Sequence, residues 1–336
     1  MPSPATENMI ALLERGANPA YRNAYDRHYE LQRDRLGRFV KLDVPSQKSI
    51  ELMPYPLAQP HARHWPDGTA VPEGTAGSRS FTVVNRPWGI QVTLDELQVQ
   101  LDQVEKALDG AKNAGKSIAL LPERVAFQIM LGTTDKDLLP AVPNAADGAA
   151  LYSATDGAGL DRFGVVGGNV YSAGGSSMAN AASFIAAYFG AVGQAKQWQD
   201  GKGQPLWSPD VLEAGTVVIV GAHNELVANQ ARAQNFVFQT AGGAGAAPSN
   251  VFLDAKTKID IWPTQRIAAG NDDGFVHFVG VEHKAIVHTR VQGTRYIFAR
   301  PETSDWCRTW RKYLMFWDCV EGYGVGEAFS TIKIDN

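Results

Sequence analysis

DVPSQKSIELMPYPLAQPHARHWPDGTAVPEGTAGSRSFTVVNRPWGI, residues 43–90, is the stretch on which the fold turns. Seven of the chain's 18 prolines fall in it (Pro45, Pro54, Pro56, Pro60, Pro66, Pro72, Pro87), among strand-like pieces such as SIELM and SRSFTVV. Proline lacks the donor that a helix interior or a central strand needs, and it pushes the residue before it towards extended backbone. The stretch therefore reads as edge strands or an extended ribbon, not as helix. So long a segment with so little core material is foreign to a compact monomer. Either it is a functional loop, or it finds its packing partner on another chain, where main-chain pairing and anchors such as Trp65 and Trp88 would hold it. The second reading is the expectation.

On the N-terminal side, Asn18 fits an N-cap, Pro19 the first helical position and Gly37 the residue past the end, which predicts a helix of about 18 residues, ~27 Å long. Tyr21, Tyr25 and Tyr29 share one face of it. Between residues 14 and 41, seven basic groups (Arg15, Arg22, Arg27, Arg33, Arg35, Arg38, Lys41) outnumber four acidic ones (Glu14, Asp26, Glu30, Asp34). Such a segment is either a solvated helix with internal ion pairs or an arm that meets an acidic partner.

On the C-terminal side, Thr93 and Glu96 read as a capping box, and Leu97, Leu101, Val104 and Leu108 repeat at helical spacing before Gly110 and Gly115. Pro122 opens a second helix, with Val125, Ile129 and Met130 inward and Gly132 at its end. Residues 140–176 read as loop with short strands. Ser176 or Ser177 caps an Ala-rich helix that runs to about Trp198. TVVIV (216–220) is a buried strand, His223–Ala233 a helix, 251–262 a strand and 274–299 two or three strands. Helices and strands mix without regular alternation, which argues for α+β.

Chemistry is sparse. The chain has 336 residues and a formal net charge of −4, which disfavours a wholly basic nucleic-acid binder. Its two cysteines, Cys307 and Cys319, cannot build a disulfide framework and read as buried thiols in a reducing compartment. No basic, apolar signal opens the sequence, and no apolar run is long enough to span a membrane. Gly221 stands alone where a dinucleotide loop needs three spaced glycines, and GGAGAAPSN (242–250) lacks the Lys-Ser or Lys-Thr of a phosphate loop. His61 and His64 have no third ligand nearby, and His277, His283 and His288 along strands are too far apart to share an ion. No catalytic, cofactor-binding or metal-ligating residue is assigned.

The order of parts (helical arm, Pro-rich ribbon, long amphipathic helix, mixed region with glycine-rich loops) resembles the tailed-phage major capsid fold of the Hong Kong 97 type. The chain looks most like the Mu-like prophage major head subunit family. The likeness is carried by NRPWGIQVTLDEL (85–97), DGKGQPLWSPDVLEAGTVVIVGAHNELVANQARA (200–233) and DWCRTWRKYLMFWDCVEGYGVGEAFSTIKI (305–334).

The resemblance implies an α+β chain with an N-terminal arm (1–42) and an extended loop (43–90). A peripheral domain (91–172 and 272–304) would hold a spine helix at 94–113, and an axial domain would comprise 173–271 and 305–336. It implies a shell protein without cofactor or catalysis that assembles with itself, as hexamers and pentamers, into an icosahedral head around double-stranded DNA. An encapsulin-like shell or another virion protein is the alternative, and a soluble enzyme stands behind both. Decoration, scaffold and portal proteins are the further partners, with the virion, and the host cytoplasm before assembly, as the location. Because the sequence starts at Met1, any scaffold is expected to be a separate protein. Contact candidates between subunits are Tyr21, Tyr25, Arg63, Trp65, Glu73, Arg79 and Trp88; genome-facing candidates are Arg22, Arg27, Arg33, Arg35 and Arg38.

Overall fold

The computed structural model describes residues 4–56, 78–100, 104–175, 178–200, 203–207, 211, 214–233, 259–281 and 284–336. Two five-stranded sheets organise them. The first has the order β1-β8-β9-β3-β2, from β1 (Val40–Pro45), β2 (Ile50–Pro56), β3 (Ser78–Asp95), β8 (Ile286–Ala299) and β9 (Lys312–Val325). The second has the order β4-β10-β7-β5-β6, from β4 (Val170–Ser172), β5 (Thr216–Gly221), β6 (Ile259–Thr264), β7 (Gly274–Phe278) and β10 (Thr331–Asp335).

The second sheet shows why TVVIV is apolar throughout. Val218 and Val220 of β5 point to α5 (Ala181–Ala195) and α6 (Glu225–Ala233), joining Phe184, Tyr188, Ala228, Val276 and Ile332. Val217 and Ile219 point the other way, to α4 (Leu121–Leu131) with Val125, Ile129 and Phe275. A strand covered on both faces has no reason to alternate. Asn180, not Ser176 or Ser177, caps α5: its Oδ1 accepts the Ser183 N–H at 3.0 Å. Gly132 closes α4 with φ +64, as expected.

The first sheet carries the long elements. β3 and β9 pair antiparallel from Val84↔Tyr323 to Asp95↔Lys312, and β8 pairs with the other edge of β9. Pairing to Asp95 keeps Thr93 in the strand, so the expected capping box does not form. α2 (Glu96–Gln100) starts at Glu96, and Gln98 Oε1 accepts the Asp95 N–H instead. α3 (Val104–Ala119) then runs through both Gly110 and Gly115, beyond the expected end at 113. Its buried face is Val104, Ala107, Ala111, Ala114 and Ile118, whereas Leu97 is exposed. The periodicity located the helix and missed its small-residue face, because that face meets backbone and has no room for leucine.

The backbone it meets belongs to the arm. α1 is 33 residues long, Pro4–Leu36, with Pro19 inside it; Asn18 caps nothing. An interior proline costs about 3 kcal/mol. Ile10, Leu13, Ala17 and Tyr21 continue one buried stripe across it, packed on α3 and on Tyr313, Met315 and Trp317 of β9, and burial at roughly 1.5–3 kcal/mol per large side chain offsets that cost. The arm is thus core of its own subunit, a correction to the expectation of an extension left for neighbours.

The expected domain boundaries also cut across the sheets. β7, assigned to the peripheral segment 272–304, lies in the second sheet, and β9, assigned to the axial segment 305–336, lies in the first. Strand pairing over long sequence separation decides this, and strand patterning carries no information about it. The sheets meet in a shared cluster that includes Phe39, Val40, Leu121, Phe275, Ile286 and Val325.

At this junction His277 is buried in β7 and stacked on Phe39, with ring centroids 4.6 Å apart. Neither ring nitrogen has a hydrogen-bond partner among the described residues. Burial, helped by the Lys284 charge, pulls its pKa down from 6.5 to about 3. Between those values the unfolded chain binds a proton that the native chain refuses, so stability falls with falling pH by up to ~1.4 kcal/mol per unit. Urea unfolding at pH 7.5 and pH 4.5 should therefore differ by about 2–3 kcal/mol more in the wild type than in His277→Phe; equal differences would show that the imidazole is solvated.

Candidate assembly interface

β2 pairs with β3 from Ile50↔Val84 to Pro56↔Ser78 and with no other described strand, so the prolines at 54 and 56 sit on a sheet edge as expected. The ribbon has two apolar faces. Phe81 and Val83 pack inward, with Met53, on Val287, Val44 and Ala146. On the opposite face Ile50 (54% exposed) lies across from Val84 (43%), next to Leu52 (66%). IELM and FTVV carry the apolar residues of this strip without clean alternation, and the register of β2 on β3 places them on one face.

The ribbon's root is fastened by Asn85. Its amide donates to Ser46 Oγ (2.9 Å) and the Lys48 carbonyl (2.6 Å), and its Oδ1 accepts from Thr289 Oγ1 (2.6 Å). Trp88, expected to anchor a neighbour, is half-buried: its indole N–H donates to the Glu321 carbonyl at 3.2 Å, and its ring sits edge-on to Tyr323. Arg79 is exposed, in register with Tyr55. Arg63, Trp65 and Glu73, like His61, His64 and GGAGAAPSN, lie outside the described residues.

Tyr21 and Tyr25 are likewise used at home. Tyr21 is 1% exposed and stacks on Trp317, with Tyr25 and Tyr29 continuing the stack. Burial pushes the Tyr25 hydroxyl up to about 12, and all three tyrosines stay neutral. Tyr29 donates to Asp43 Oδ2 at 2.6 Å. Arg290 bridges Asp43 (2.9 Å) and Glu321 (3.2 Å), and His288 Nε2 lies 3.2 Å from Glu321. Burial raises the Glu321 pKa, but the neighbouring His288, the charge of Arg290 and the Tyr323 hydroxyl outweigh it and hold it below the usual carboxylate value, so the carboxylate stays ionised. This network ties α1, β1, β8 and β9 together. Asp43 takes φ +56 where the β1–β8 register shifts, which aims its carboxylate at Tyr29 and Arg290.

The five arginines expected to face a genome are exposed. Arg38 pairs with Asp260, and Arg35 lies over the Trp262 ring at 5.8 Å. Among the described residues no group of three His, Cys, Asp or Glu side chains could hold a metal ion.

No protein-family model matches the sequence, and neither does any curated protein. The likeness to Mu-like prophage head subunits therefore rests on the three quoted segments. Solved structures do match over most of the chain. The capsid structure of cyanophage P-SCSP1u is 13% identical, covers 88% of this chain and 85% of its own, and has a TM-score of 0.52. The mature capsid of bacteriophage PhiM1 is 10% identical, with coverages of 88% and 85% and a TM-score of 0.51. The capsid of an empty GTA particle is 9% identical, with coverages of 90% and 89% and a TM-score of 0.54. At such identities the likeness speaks for the fold alone, and the chain has the Hong Kong 97-type capsid fold.

Proposed function

We propose that this chain is a major capsid protein that assembles with itself, through hexamers and pentamers, into an icosahedral head enclosing phage double-stranded DNA. The observation that carries the reading is the outward apolar strip of Ile50, Leu52 and Val84, on a ribbon whose other face is already packed and whose root is fastened. Subunits repeated in closed rings need a patch of this kind, complementary to a different patch on the next copy. The similar structures are capsids, which supports the same conclusion. Scaffold, portal and decoration proteins would be further partners of the assembly, in the host cytoplasm before the virion is complete. Shell building needs no catalytic group.

The full chain, expressed alone or with its neighbouring genes, should form shells, rings or tubes by negative-stain microscopy; a monodisperse 36.4 kDa monomer in both cases would sink the reading. Ile50→Glu/Leu52→Glu should keep the wild-type urea midpoint, since exposed substitutions rarely move stability by more than ~0.5 kcal/mol, and should abolish assembly. Normal shells from this variant would remove the strip from the interface.

A further inference from the structure

We propose that the groove at the foot of α1 binds the phosphodiester backbone of nucleic acid. The proposal deepens the capsid reading, which supplies only the source of the nucleic acid. Where α1 ends and β1 begins, Arg33, Arg38, Lys41 and Lys284 line one open cleft of about 490 Å³, with Asp34 as the single acidic wall residue among the described residues. A cluster of this sign is out of keeping with a chain of net charge −4. Arg33 and Lys41 are exposed, and neither has a carboxylate partner among the described residues. Arg38 shares its charge with Asp260.

Lys284 is the unusual member. Its ammonium donates to the carbonyls of Val279 (3.0 Å) and Val281 (3.1 Å), which pin it at the rim without neutralising it. Burial lowers its pKa, and no carboxylate among the described residues offsets the loss. An anion in the groove would supply a countercharge to Lys284, Arg33 and Lys41 together. An open cleft lined by long cations, with no aromatic platform among its described walls, suits a repeating string of phosphates better than a stacked base. Binding of this kind carries no sequence preference and weakens steeply with salt.

The test is fluorescence anisotropy of the full chain with a labelled 30-base-pair DNA duplex and a single-stranded RNA of equal length, over a range of salt. Arg33→Gln/Lys41→Gln should lower duplex affinity about tenfold or more at 0.1 M salt and flatten the log K against log salt slope by about 1.8, two phosphate contacts' worth. A surface control, Lys116→Gln/Lys136→Gln, should bind as wild type, and the groove variant should still assemble. A similar fractional loss on RNA supports phosphate recognition. Loss on one polymer only, equal loss in the control, wild-type affinity in the groove variant, or loss of its assembly each overturns the proposal. Groove-dependent binding by a wild-type chain that builds no shell would leave the groove standing and remove the capsid reading; normal shells with groove-independent binding would do the reverse.

Discussion

Arg162→Leu should destabilise the subunit by about 3–5 kcal/mol, the usual cost of breaking a buried ion pair from one side. Arg162 is 1% exposed. Its Nε and Nη2 grip Asp147 at 2.6 and 3.0 Å, and its Nη1 donates to the carbonyls of Ala150 and Leu151 and to Asn169 Oδ1 at 2.9, 2.9 and 3.1 Å. Asn169 in turn donates to the Leu151 and Ala328 carbonyls, so the guanidinium joins the long loop 145–169 to the chain just before β10. Removing it takes the countercharge from Asp147, which keeps the Ala149 N–H, and the side-chain donor from the Ala150 carbonyl, while the Leu151 carbonyl and Asn169 Oδ1 keep their bonds to Asn169 and Ser153. Against a total stability of 5–15 kcal/mol, such a loss leaves many subunits unfolded. The urea midpoint should fall without a change in slope; a shift equivalent to under 1 kcal/mol would mean that water replaces the guanidinium. Asp147→Asn should also destabilise, because Nε and Nη2 lose their charged partner while Nη1 keeps its three neutral acceptors.

Gly115→Ala should destabilise by ~1–3 kcal/mol, although alanine is worth up to about 1 kcal/mol more than glycine in a helix interior. A Cβ at 115 would press into the Tyr21 carbonyl oxygen and lie 3.1 Å from the Tyr25 amide nitrogen of α1. Both are backbone atoms, which cannot rotate aside, so α1 must lift from α3 and carry Tyr21 off Trp317. Gly110→Ala is the internal comparison: its Cβ would meet a Val92 methyl at 2.9 Å, and a side chain can turn away. Gly110→Ala should therefore cost less than Gly115→Ala. The readouts are the urea midpoint and the tryptophan emission maximum, with Gly115→Ala alone shifted to the red. Equal behaviour of the two variants would show that α1 yields freely, as a detached arm would.

The two substitutions also mark where the sequence stops being legible. Gly115 reads locally as a helix end, since glycine costs a helix most when nothing else is known of its surroundings. Only the α1 crossing shows that it is there for closeness. Arg162 and Asp147 lie 15 residues apart in a segment without periodicity, so no spacing rule could join them. The exposed strip of Ile50, Leu52 and Val84 is different: the pattern was present, and the register of β2 on β3 was needed to place all three on one face.

The sequence by itself determined the proline-rich edge ribbon, the buried strand at 216–220, the helix closed by Gly132 and the order of parts that resembles a capsid subunit. These follow from local rules: which residues lack a donor, which tolerate a positive φ, and how far apart apolar side chains recur. Tertiary structure alone decided that α1 runs through Pro19 into the subunit's own core, that β7 and β9 exchange sheets relative to expectation, and that Tyr21, Tyr25 and Trp88 face inward. Those outcomes depend on burial and pairing between segments far apart in sequence, which can outweigh a local penalty of a few kcal/mol and leave no periodic trace in either segment.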